Sequence, residues 1–123
     1  MASDPTWNTI PGQLASSEVM SLQPSAATIE RTFRVKRDNG VWTLDDDTWQ
    51  EVIASEFRKV AANPDLNAVE IWEFANSSGG WFHPMHTHLV DFQIFSRNGR
   101  APFAYERGPK DVVYVVRAKR CGS

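Results

Sequence analysis

The chain has 123 residues, 41% of them hydrophobic and 23% charged, with a formal net charge of −2. That is one domain's worth of polypeptide with enough apolar content for a core, which excludes global disorder. The near-balanced charge gives no basis for a nucleic-acid surface or a polybasic membrane patch, and no stretch reaches the length of a membrane span.

Met1 to Ser17 lacks a basic start followed by an apolar run, so it does not read as a secretion signal, and the compartment stays unassigned. Residues 1–27 are rich in Ser, Pro, Ala and Thr without periodicity, the composition of an extended arm or interdomain linker. Order is expected from residue 28. In Ile29 to Lys36, apolar and polar residues alternate apart from Arg31, the period of a half-buried strand. Asn39-Gly40 tolerates the positive φ of a tight hairpin, and Val41-Trp42-Thr43-Leu44 is the returning strand. Asp45-Asp46-Asp47 lacks the spacing, glycine and distal glutamate of a calcium loop, and reads as a polar turn. Thr48 and Glu51 form a capping box. Trp49, Val52, Ile53, Phe57 and Val60 then share one face of a helix expected to run to Asn63-Pro64.

Three further strands are expected: Val69 to Phe74, Leu89 to Phe95 and Val112 to Val116. Asn98-Gly99 marks a turn between the last two. Short strands separated by turns indicate a β-sandwich. Glu70 and Glu73 lie three apart on a strand, face opposite sides, and read as polar rim residues instead of a catalytic pair. Trp72, Trp81 and Phe82 read as core packing, the alternative being the wall of a substrate pocket. The only cysteine, Cys121, cannot form an internal disulfide. Its neighbours supply no second ligand.

All three histidines of the chain fall in His83-Pro84-Met85-His86-Thr87-His88. Imidazole is a strong ligand for copper and zinc, and this density points to metal binding. On an extended strand, His86 and His88 would share a face about 7 Å apart, suited to neighbouring ions. Pro84 biases His83 toward an extended backbone that leaves the line of the other two, so the segment can feed two metal centres.

The run Gly80 to Phe92, with His83-Pro84-Met85-His86-Thr87-His88 inside it, resembles the His-Pro-x-His-x-His signature of the third domain of multicopper oxidases. It is nearest to the bilirubin oxidase and spore-coat laccase branch. Val69 to Asn76, Trp42-Thr43-Leu44, and Tyr105 to Val113 are similar to family segments in the same order, so the likeness covers about residues 29 to 115. The resemblance implies a mostly β fold, a partial cupredoxin-like Greek-key β-sandwich over residues 28–123 with one short helix. It implies His83 as a type 1 copper ligand, His86 as a type 2 ligand and His88 as a ligand of the type 3 pair. The implied activity is oxidation of phenolic or tetrapyrrole-like donors coupled to reduction of dioxygen to water. The family's His-Cys-His segment and its first-domain His-x-His pairs have no counterpart here. The expectation is therefore a fragment, inactive alone, whose partners are the remaining cupredoxin domains, dioxygen and a small reducing substrate, and whose open strand faces favour self-association. A small non-catalytic copper- or zinc-binding β-module is the alternative. A cupin is disfavoured, because only Asp91 stands near the place of that family's glutamate.

Overall fold

The computed structural model describes residues 21–116. The first 20 residues of the expected arm, the basic run at 117–120 and Cys121 lie outside them. Of the arm, residues 21–27 are largely exposed and contain a single 3-10 turn, Pro24–Ala26.

The main sheet grows from two tight turns. Strand β1 (Ile29–Asp38) meets β2 (Val41–Leu44) antiparallel. Asn39 and Gly40 between them have φ of 48° and 83°. Two positive φ values match the twist of paired strands, which is why Asn-Gly closes this hairpin. The acidic triplet repeats the device: Asp45 and Asp46 have φ of 52° and 72° and return Asp47–Thr48 (β3) against β2. Asp45 Oδ1 accepts the Arg34 amide at 2.6 Å, which holds the second turn to β1. Strand β4 (Glu70–Asn76) pairs with β1 in parallel, with Phe33 opposite Phe74, and the sheet order is β3-β2-β1-β4. A parallel neighbour needs a crossover, which the segment between β3 and β4 supplies.

Helix α1 spans Trp49–Ala54, six residues, and its Thr48–Glu51 capping box forms as expected. The helix does not continue to Asn63. Ser55 Oγ donates to the Val52 carbonyl at 2.7 Å and accepts the Lys59 amide at 3.0 Å. A serine hydroxyl that takes backbone partners competes with the helix ladder. Glu56 and Phe57 then turn left-handed, with φ of 55° and 60°. The expected apolar face is consequently left open, with Trp49 61% and Phe57 63% exposed.

The histidine segment lies on a separate ribbon, β5 (His83–His86) antiparallel to β8 (Val112–Val115). The strand expected over Leu89 to Phe95 shortens to Phe92–Gln93 (β6), paired with Pro109–Lys110 (β7). Leu89, at φ 72°, breaks the extended run before it can pair. Asn98-Gly99 forms its turn, with Arg97 and Arg100 exchanging both backbone hydrogen bonds at 2.8 and 3.0 Å.

The apolar core among the described residues is small: Phe33, Val35 and Val115 are 3%, 7% and 8% exposed. Phe33 packs on Trp72 and Phe74 at 4.9 and 5.6 Å between ring centroids. The chain is thus mostly β with one short helix, the content of a partial cupredoxin-like sandwich. Basic residues near β1 are matched locally: Arg31 pairs with Glu70, Lys36 with Asp46, and Arg37 lies over the Trp42 and Trp81 rings. Among the described residues, no helix is long and apolar enough to cross a membrane.

Candidate metal centre

The loop into the histidine strand is held by Asn76, a buried side chain at the end of β4. Asn76 Nδ2 donates to the Trp81 carbonyl at 2.7 Å and to the Val115 carbonyl at 3.0 Å. Its Oδ1 accepts the Ser78 amide at 3.0 Å and the Ser78 hydroxyl at 2.6 Å. Both donors and both lone pairs of the amide are therefore used. Gly79 and Gly80, at φ 76° and 123°, let the chain turn around this amide.

His83 follows three residues after Gly80, opposite Val115. Its ring stands edge-on to Trp42 at 4.3 Å, and Trp42 in turn meets Trp81 edge-on at 6.3 Å. Nε2 of His83 is buried and has no hydrogen-bond partner. A buried polar atom without a partner costs about 1–3 kcal/mol, so such an atom needs a reason, and an ion is one.

Pro84 sits in this strand without weakening it. Thr87 N donates to Asp111 O at 3.0 Å. By alternation along the antiparallel ladder, Pro84 opposite Tyr114 then falls at a non-hydrogen-bonded position. The N–H that proline lacks would have pointed outward, away from β8. On the other edge, Arg97 Nη1 donates to the outward Tyr114 carbonyl at 2.9 Å. Arg97 is itself fixed by Glu106, through Nε contacts of 2.8 and 2.7 Å to the two carboxylate oxygens. The guanidinium holds the nearly buried Glu106 carboxyl below the usual range.

His86 lies on the opposite face of β5 and is exposed. Its Nδ1 is 2.8 Å from the Asp111 carbonyl. Donation of an N–H to that carbonyl leaves the lone pair on Nε2 and orients the ring, the usual support for a metal-bound imidazole. His88 lies beyond the strand, and its ring centroid is 4.8 Å from that of His86. The pair is closer than strand periodicity predicts, because β5 ends at His86 and the chain bends at His88. Both rings line a cavity of about 250 Å³ whose other walls include Phe33, Trp72, Phe74 and Met85.

The structure thus brings His86 and His88 together and leaves His83 apart. Among the described residues, no group of three or more His, Cys, Asp or Glu side chains converges on one point. Two sequence readings change. Glu70 is not a rim residue: its side chain is 4% exposed, binds Arg31 through both carboxylate oxygens and accepts the Trp72 indole N–H at 2.7 Å. Arg31, then Trp72, holds its carboxyl low. Trp72 packs as expected, but Trp81 and Phe82 are exposed and lie outside the core. Sequence reasoning missed Asn76, the Asp111 carbonyl and the Arg97–Glu106 pair. Each acts across strands that only the fold brings together.

A mostly β chain with imidazoles on two faces of one strand fits a metal-binding cupredoxin-like module. The multicopper oxidase family model matches residues 21–121, and the chain belongs to that family. A bilirubin oxidase of Albifimbria verrucaria is 39% identical over 99 residues, covering 76% of this chain and 17% of its own length. A laccase of Bacillus stratosphericus is 30% identical over 115 residues, covering 75% of this chain and 21% of its own. A laccase of Haloferax volcanii is 47% identical over 60 residues, covering 46% and 10%. This chain therefore spans about a fifth or less of these relatives. No solved structure matches it at a significant level. Family membership implies copper as the cofactor. The buried, unpartnered His83 Nε2 and the oriented His86 ring are donor atoms that fit it.

Proposed function

We propose that this chain is part of a copper-dependent oxidase: the third, C-terminal cupredoxin-like domain of the bilirubin oxidase and spore-coat laccase branch. Residues 28–123 form an incomplete part of that domain and residues 1–27 an arm or interdomain linker. His83 holds the type 1 copper, His86 the type 2 copper and His88 one copper of the type 3 pair. Copper held there would supply one-electron transfer from a phenolic or tetrapyrrole-like donor to dioxygen, four electrons and four protons giving two waters. The chain's own residues hold and aim the imidazoles: Trp42 walls His83, and the Asp111 carbonyl fixes the His86 ring.

The observation that carries this reading is the division of one short segment into a half-buried imidazole with an open nitrogen and an exposed pair on the other face. Three imidazoles are too few to furnish a type 1 site and a trinuclear cluster, so further donors come from other polypeptide. The partners of this reading are the remaining cupredoxin domains, dioxygen and a small reducing substrate. Exposed Trp49, Phe57 and Val60 favour self-association of the isolated chain. The copper-loaded chain, assayed against a phenolic substrate, is expected to show neither turnover nor an intense blue copper–thiolate band. Turnover accompanied by such a band would overturn the proposal.

One observation favours a second reading, a non-catalytic copper- or zinc-binding module. The His86 and His88 rings, 4.8 Å apart, are near enough to share a single ion. Binding of one ion that requires only those two side chains would favour it.

A further inference from the structure

We infer that Asn76 is a positioning residue for His83, and that its carboxamide sets the copper affinity of that imidazole without touching the ion. The inference rests on the assignment of His83 as a copper ligand. Asn76 is one of few buried polar side chains, and it joins three parts of the chain that must agree for His83 to be placed. It ends β4, so it is fixed by the main sheet. Through Nδ2 it holds the carbonyl of Trp81, two residues before His83, at 2.7 Å. The other Nδ2 hydrogen holds the carbonyl of Val115, the residue directly opposite His83 in the ribbon, at 3.0 Å.

The backbone just before the imidazole and the backbone across from it are thus bound to one planar group. Ser78 locks the orientation of that group, since its amide and hydroxyl both donate to Oδ1. The amide cannot flip without setting Nδ2 against two donors and Oδ1 against two carbonyls. Val115 is also one of the three buried apolar residues among those described, so the clamp ties His83 to the small core. Trp81, held by its carbonyl, meets Trp42 edge-on, and Trp42 meets the His83 ring. Ring and backbone placement of His83 therefore both trace back to Asn76. His86 lies on the far face with its ring held by the Asp111 carbonyl, and His88 packs beside the His86 ring, so the clamp should not reach them.

The test uses the full chain and Cu(II) as probe. Its three histidines give three sets of imidazole resonances, and Cu(II) broadens those it binds. In Asn76→Asp, the acceptor for Ser78 survives while both donors are lost and a charge faces two carbonyls. The Cu(II) concentration that half-broadens His83 should rise about tenfold, the lower end for loss of a group that supports a ligand. The midpoints of His86 and His88 should stay within about twofold of wild type, a split that general unfolding cannot produce. Ser78→Ala, which loosens the amide and removes the hydroxyl's own 3.1 Å contact to the Trp81 carbonyl, should shift His83 alone in the same direction by less, and serves if Asn76→Asp does not fold. Wild-type broadening of His83 that either folded variant leaves unchanged, or midpoints that move together for all three rings, would overturn the inference alone. Absence of His83 broadening in the wild type would overturn the ligand assignment and the inference with it.

Discussion

His83 and His86 lie three residues apart on one four-residue strand, yet they occupy different worlds. The first is half-buried against Trp42 with Nε2 unpartnered, and the second is exposed with Nδ1 on the Asp111 carbonyl. Strand alternation makes the difference: residues three apart point to opposite faces. One short segment can therefore present donors to two sites, one against Trp42 and one at the rim of the cavity over Phe33. The stability account differs too. His83 is a cost to the fold that an ion would relieve, whereas His86 is exposed with its Nδ1 already partnered.

The largest expected effect falls on the apolar core beneath one of the two regions. Phe33 is the most buried apolar side chain, lies under the His86 and His88 cavity, and packs on Trp72 and Phe74. Phe33→Ala should lower unfolding free energy by about 3–5 kcal/mol in urea titration. Losses below about 1 kcal/mol would show that the sheet does not depend on this cluster.

Acid should separate the sheet and ribbon from the metal sites next. Glu70 and Glu106 have carboxyls held low by Arg31 and Arg97. Carboxyls with lowered folded values stabilise the fold fully above the unfolded value of about 4.3, and that stability is lost as pH falls through the folded values. Urea midpoints should therefore fall below about pH 5, and the fall should be shallower in Glu70→Gln and Glu106→Gln variants. An unchanged acid limb in both would contradict the role of these pairs.

A smaller effect distinguishes the two histidines directly. His83→Phe removes a buried, unsatisfied nitrogen while keeping a ring against Trp42, and should raise apo-chain stability by about 1 kcal/mol. His86→Phe should change it by less than about 0.5 kcal/mol, as expected of an exposed position. A destabilised His83→Phe chain would mean that Nε2 has a protein partner in solution. Last, Thr48→Ala should cost about 1 kcal/mol through loss of the capping box, with no change at either proposed copper site.

Much of this was legible in local chemistry. Asn39-Gly40 and Asn98-Gly99 announced their turns because few other pairs accept positive φ at both residues. Thr48 and Glu51 announced a helix start. Its end was not legible, since a continuous apolar face hid the hydrogen bonds by which Ser55 stops the ladder. The extent of the strand expected over 89–95 failed for a related reason: alternation does not reveal a left-handed Leu89. For the candidate site, the clustering of imidazoles singled out the segment, and Pro84 pointed to the departure of His83 from the line of the other two. The support of His86 comes from Asp111, 25 positions away, and the clamp beside His83 joins Asn76 to Val115 across 39. Such pairings depend on register between strands, which a single sequence does not encode locally.

The most direct test of the central idea, two metal centres fed by one strand, is the number of Cu(II) ions retained in equilibrium dialysis by the wild-type chain and by His83→Ala. The account predicts at least two ions for the wild type and the loss of one on substitution, with binding at His86 and His88 intact. A single ion whose retention requires all three imidazoles would contradict it.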